Sequence, residues 1–114
     1  MVCHAPVNKG PLGTLFIESK RHVLDFSDFS SEEAASLGDL TKTIFTALRP
    51  LVKAERIYLV SMMEGIPHFH AWIIPRSQEV KEHGVAFLAK DLSCSEEEAA
   101  KLSERLRRLW KEIL

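Results

Sequence analysis

The chain is poor in cysteine. It has two, Cys3 and Cys94, far apart in sequence, so no disulfide framework and no CxxC metal ribbon can be built from it. Long apolar runs are also missing. Stretches such as Ala71 to Ile74 are a few residues long, against the roughly 18–20 that a membrane-spanning helix needs. The start, Met1-Val2-Cys3-His4-Ala5-Pro6, has no charged leader followed by an apolar stretch, so no secretory signal is expected. Neither sign of charge is in excess: 15 Lys and Arg stand against 16 Asp and Glu, for a net charge of −1. That balance argues against a globally basic nucleic-acid binder, and no specific nucleic-acid partner is expected. What is present is apolar material, 46% of the 114 residues against 27% charged, which is too much for a disordered chain. The expectation is one domain over residues 1–114, in a reducing, cytoplasmic setting and without a membrane partner.

Residues 1–13 carry Pro6, Gly10, Pro11 and Gly13 and read as an irregular N-terminal arm. Thr14 to Glu18 reads as a short strand that ends in the polar, basic Ser19-Lys20-Arg21-His22. Ser30 followed by Glu33 has capping-box spacing and opens a helix. Leu37, Leu40, Ile44, Leu48 and Leu51 then form one apolar stripe, and Pro50 should end the helix near Arg49. Arg56 to Ser61 is β-prone, and a loop with Gly65 and Pro67 as breakers follows. His68 to Ile74 reads as a strand stopped by Pro75, and the type of Val85 to Leu88 stays open. A second capping box, Ser95 with Glu98, opens a C-terminal helix striped by Ala99, Leu102, Leu106, Leu109 and Ile113. The mixed charges of that helix read as a solvated face.

The chemistry concentrates in Pro67-His68-Phe69-His70-Ala71-Trp72-Ile73-Ile74-Pro75-Arg76. Side chains alternate along a strand, so His68, His70, Trp72 and Ile74 share one face while Phe69, Ala71 and Ile73 face a core. Two imidazoles beside an indole are costly to bury without partners. Three readings of the His-x-His pair stay open on these residues alone. They are satisfied histidines of a half-exposed strand, two ligands of a metal ion, or a nucleophile with its acid–base helper.

The segment resembles the motif of the histidine-triad (HIT) family of nucleotide hydrolases and transferases, His-φ-His-φ-His-φ-φ with φ apolar. It reads His68-Phe69-His70-Ala71-Trp72-Ile73-Ile74 here, with Pro75-Arg76 following as in many members. Gly13 to His22 is similar to the family's strand that ends in a basic residue and a histidine, so the resemblance spans roughly residues 8 to 76. It implies an α+β fold: an antiparallel sheet, one helix after the first strand, and a C-terminal helix. It also implies a nucleotide or nucleoside-phosphate substrate, no cofactor and a homodimer.

By motif position the resemblance makes His70 the nucleophile that attacks an α-phosphorus and carries a covalent nucleotidyl intermediate. His68 orients the phosphate and the neighbouring ring, and His22 supports the site from an adjacent strand. Trp72 replaces the family's third histidine. Indole donates only and shuttles no proton, so Trp72 is expected to line the pocket. The family's uridylyltransferase branch carries glutamine at that position and keeps the middle histidine as nucleophile. Only thirteen residues precede Thr14, where family members have more, so the nucleoside pocket is expected to be reduced or built differently.

Ser61 is a candidate substrate-binding residue, and Glu64 a further loop candidate. Lys20, Arg21 and Arg76 are candidate phosphate binders, while His4 and His83 receive no role. Two readings stand beside the enzyme: a nucleotide-binding module with weakened catalysis, and a His-based metal protein. For the last, His68 and His70 supply two ligands where zinc wants three or four, so no metal is expected.

Overall fold

The computed structural model describes the backbone of residues 2–65 and 68–113 and the side chains of residues 2–65 and 68–109. The expected breaker Pro67, and the side chain of Ile113 in the expected C-terminal stripe, lie outside the described residues. The chain runs β1 (Val2–His4), β2 (Leu15–Glu18), a short 3₁₀ turn (Phe26–Asp28), α1 (Ser31–Val52), β3 (Ala54–Val60), β4 (His70–Ser77), α2 (Val85–Leu88) and α3 (Glu96–Ile113). The strands form one antiparallel sheet in the order β1-β2-β4-β3, so the histidine strand is central. The α+β expectation holds, with two details changed at the ends of the sheet.

First, the N-terminal arm is not all irregular. Val2, Cys3 and His4 pair with Ile17, Phe16 and Leu15, and the Ala5 N–H continues the ladder to the Thr14 carbonyl at 2.8 Å. His4 locks this return: its Nε2 accepts from the Gly13 N–H at 3.0 Å while Nδ1 lies 2.7 Å from the Ala5 carbonyl. A carbonyl can only accept, so Nδ1 carries the proton and both ring nitrogens are used. Gly13 sits there at φ +92°, where a Cβ would meet Val52, Leu48 and Pro75. Only glycine turns there without strain.

Second, β4 does not stop at Pro75 but runs on to Ser77. Ser19 N–H bonds to the Phe69 carbonyl, so odd-numbered residues of β4 present their backbone groups toward β2. At Pro75 that side is empty of ladder, because β2 begins only at Leu15, opposite Ile73. The missing N–H therefore costs no sheet bond. A similar argument covers Pro50, which lies inside α1 and does not end it at Arg49. One helical bond near the C-terminus is lost, while Leu51 and Val52 gain packing against the core. The helix ends two residues later at Val52, and its C-cap Lys53 is in the left-handed conformation with its N–H on the Arg49 carbonyl.

Both expected capping boxes are largely as read. Ser30 accepts from the Glu33 N–H and Glu33 returns to the Ser30 N–H, and the Ser95 hydroxyl oxygen accepts from the Glu98 N–H at 3.1 Å. The two helical stripes cover one face of the sheet. Ile44 and Leu48 of α1, Leu102 and Leu106 of α3, and Leu15, Ile17, Ile57, Phe69, Ala71 and Ile73 beneath them form the core. Each Leu, Ile or Phe among them contributes roughly 1.5–3 kcal/mol of burial. Val85 to Leu88, left open by the sequence, is the single turn α2, whose Phe87 stacks on Tyr58 across the other face of the sheet.

Candidate functional site

β4 and the residue before it divide their side chains as the alternation requires. Phe69, Ala71 and Ile73 enter the core, and His70, Trp72, Ile74 and Arg76 take the opposite face. The histidines gather where β4 begins, at the same end of the sheet as the exit from β2. His70 is 8% exposed and its Nδ1 lies 3.1 Å from the backbone carbonyl of His68. Nδ1 therefore carries the proton, and Nε2 keeps its lone pair with no protein partner among the described residues.

Two further contacts fix the surroundings. β3 ends at Val60, and there the Ser61 hydroxyl donates to the His70 carbonyl at 2.8 Å. His22, exposed in the loop after β2, brings its ring to 4.0 Å from that of half-buried His68, edge to face. The Nδ1 of His68 is buried without a hydrogen-bond partner among the described residues. The structure thus brings His22, His68, His70 and Ser61 to one end of the sheet.

Trp72, half-buried, is the cross-strand partner of Phe16 on β2 and of Val60 on β3. The Phe16 ring meets Trp72 edge-on at 5.1 Å and lies 5.8 Å from His70. An aromatic shelf therefore continues the face that carries His70. Phe16 and Glu18 were not singled out in the sequence, yet β2 places both on this face, with Glu18 directly opposite His70. The signal was the alternation Leu15-Phe16-Ile17-Glu18, whose odd members are buried and even members half-exposed.

Two of the three basic residues of the expected site are already occupied. Arg21 grips Glu33 with two nitrogens at 3.1 and 2.7 Å and donates to the Asp28 carbonyl. The Arg21 hydrogen bond, helped by the Ser30 N–H, pulls the Glu33 carboxyl down to about 2. Arg76 is 4% exposed and lies six residues along β4 from His70, tied to Glu55 and to the Tyr58 hydroxyl. Lys20 remains exposed in the same loop as His22.

Two clefts of about 610 and 490 Å³ lie elsewhere, along β1 and α3, and share His4 and Ser103. Their histidine has both nitrogens bound within the fold, so the His70 imidazole is the better candidate for chemistry. Among the described residues no group of three or more His, Cys, Asp or Glu could hold a metal ion, and His68 with His70 makes no ready centre. Among them, too, no helix is long and apolar enough to cross a membrane.

No protein-family model matches the chain, and no curated protein matches it in sequence. Solved structures do. A histidine triad protein from Bradyrhizobium japonicum superposes with a TM-score of 0.70 at 19% identity, over 83% of this chain and 73% of that one. A histidine triad (HIT) protein from Sinorhizobium meliloti gives 0.69 at 18% identity, over 90% and 87%. A hypothetical histidine triad nucleotide-binding protein from Sulfolobus tokodaii gives 0.67 at 18%, over 90% and 72%. With the central histidine strand, the helix preceding β3 and the C-terminal helix in place, the chain has the fold of the histidine-triad proteins.

Proposed function

We propose that the chain is a nucleotide hydrolase or nucleotidyltransferase that acts at an α-phosphate through His70. The observation that carries this reading is the His70 ring: Nδ1–H held by the His68 carbonyl, Nε2 without a partner among the described residues, and two more histidines at the same end of the sheet. A nucleophilic imidazole needs that arrangement, one nitrogen free for attack and the other fixed as N–H. The likeness to a solved protein described as nucleotide-binding supports the substrate class.

In this reading Nε2 attacks the α-phosphorus, the bond to the leaving group breaks, and a nucleotidyl-histidine forms. Water or another acceptor then attacks phosphorus and returns the electron pair to Nε2. His68 and His22 flank the phosphate, and Lys20 adds positive charge nearby. Trp72 and Phe16 give the nucleoside an apolar surface, and Trp72 moves no proton. Ser61 steadies the end of β4 through the His70 carbonyl and can still accept a hydrogen bond from substrate. No metal or cofactor enters the scheme. Cys3 and Cys94 are free thiols, which suits the cytoplasmic setting expected of the chain. We also propose a homodimer formed across the outer strand β3.

The test is turnover of an adenosine phosphoramidate and of a dinucleoside polyphosphate by wild type and by His70→Ala. Cleavage by wild type, lost at least about a thousandfold in the variant, is the expected result. Equal, near-zero rates with retained nucleotide binding would leave the second reading, a binding module on the same fold. Trp72 in place of a proton-carrying residue is the observation that favours that alternative.

A further inference from the structure

We propose that Glu18 is a positioning residue for His70, offsetting the positive charge that the ring acquires when phosphorus bonds to it. The inference rests on the reading of His70 as nucleophile.

The argument starts from the register. Glu18 and His70 are cross-strand partners. The neighbouring pair, Ser19 with Phe69, carries the ladder bond, from the Ser19 N–H to the Phe69 carbonyl at 3.0 Å. In an antiparallel ladder bonded and non-bonded pairs alternate, so Glu18 and His70 form a non-hydrogen-bonded pair. Such pairs hold their Cα atoms about 4.5 Å apart, with the side chains closer than in a bonded pair. The pair two residues along, Phe16 with Trp72, belongs to the same set, and its rings do meet, at 5.1 Å.

The electron count explains why a carboxylate is useful there. The His70 Nδ1 carries a proton held by the His68 carbonyl. When the Nε2 lone pair forms the N–P bond and the leaving group departs with its own electron pair, that proton stays. The ring is then a cation. The shelf beside it, Phe16 and Trp72, is aromatic and poor at solvating charge. Glu18 supplies the opposite charge from the next strand. When water attacks phosphorus, the N–P pair returns to Nε2, the water proton passes to solvent, and the ring is neutral again.

The same carboxylate repels the anionic oxygens of a bound phosphate. Its benefit therefore appears only as the ring becomes charged, in the transition state, and not in substrate binding.

This gives a specific kinetic signature. Glu18→Gln keeps shape and loses charge, so kcat should fall about ten- to a hundredfold while KM stays level or drops. Glu18→Asp should recover part of the rate. A merely structural role would raise KM and lower thermal stability, so a melting curve accompanies each variant.

A second readout does not depend on nucleotide turnover. Inorganic phosphoramidate donates a phosphoryl group to histidine, and the modified His70 can be followed by mass spectrometry and ³¹P NMR. Phosphorylation of His70 should be about tenfold or more slower in Glu18→Gln than in wild type. A slower reaction in the variant supports the inference even if wild type turns over no nucleotide, in which case only the nucleotidyl reading fails. Equal phosphorylation rates in folded wild type and Glu18→Gln, or a His70 left unmodified in both, would overturn it.

Discussion

Tyr58 shows how one side chain can hold a whole segment. Its hydroxyl accepts from the Gly84 N–H at 2.7 Å and from Arg76 Nε at 3.3 Å, while its ring stacks on Phe87. The stretch from the end of β4 to α2 is thereby fastened to the sheet face opposite the helices. Arg76 depends on the arrangement too, because among the described residues its Nη1 is buried with no partner and its other nitrogens reach only Tyr58 and Glu55. Tyr58→Phe keeps the stack and strands both donors. A fall in melting temperature of about 4–8 °C is expected, the size a lost hydrogen bond gives in a domain of this length. An unchanged melting curve would mean that the clasp carries no stability. The Gly84 N–H, and after it Arg76, also favour the phenolate, so Tyr58 ionises below the ordinary tyrosine range. It is the chain's one tyrosine, so ultraviolet absorbance reads its titration without overlap. The midpoint should lie below about 10 in the folded protein and return there in denaturant.

At the scale of elements, α1 is fixed at its first turn by a small charged network. Ser30 caps the helix, Glu33 closes the capping box, and Arg21 reaches across from the loop that carries His22. Ser30→Ala should cost about 1 kcal/mol by denaturant unfolding. Glu33 adds a pH dependence with a definite sign. Its folded-state value near 2 lies below the ordinary 4.5, so its stabilisation is complete above pH 4.5 and disappears as pH falls toward 2. Glu33→Gln should flatten that part of the acid-unfolding curve and leave the neutral region nearly parallel to wild type. Because the group is exposed, the effect is small. The capping box was legible because its residues are neighbours in sequence, and the two apolar stripes because helix periodicity repeats within one element. Arg21 was not legible. As a residue in a basic turn it read as a phosphate binder, and only the fold brings it to a carboxylate twelve positions away. β1 was missed for a similar reason, since three residues among glycines and prolines form a strand only because β2 offers them an edge. His68 and His70 were legible by alternation, whereas the placing of Glu18 opposite His70 needed the register between strands.

For the whole molecule the open question is what covers the edge of the sheet. β3 is an outer strand seven residues long, whereas β1, at the other edge, has three. Leu59 is the partner of fully buried Ile73 and so belongs to the core face, yet it is 53% exposed because it stands at the rim. A long outer strand with an exposed apolar side chain offers unpaired backbone groups and apolar area together, the combination that a second copy can satisfy by antiparallel pairing. Two copies joined there would continue one sheet across the pair, with Leu59 of each chain near the seam. Sedimentation equilibrium should then give about twice the 12.9 kDa chain mass. Leu59→Lys places a charge at the seam and should shift the protein toward the monomer, with the melting temperature becoming concentration-independent. His70 lies one strand in from this edge, so the monomeric variant should keep its imidazole arrangement and bind nucleotide. A wild type that sediments as a monomer at tens of micromolar would sink the proposed dimer, and one in which Leu59→Lys leaves the mass doubled would move the seam away from β3.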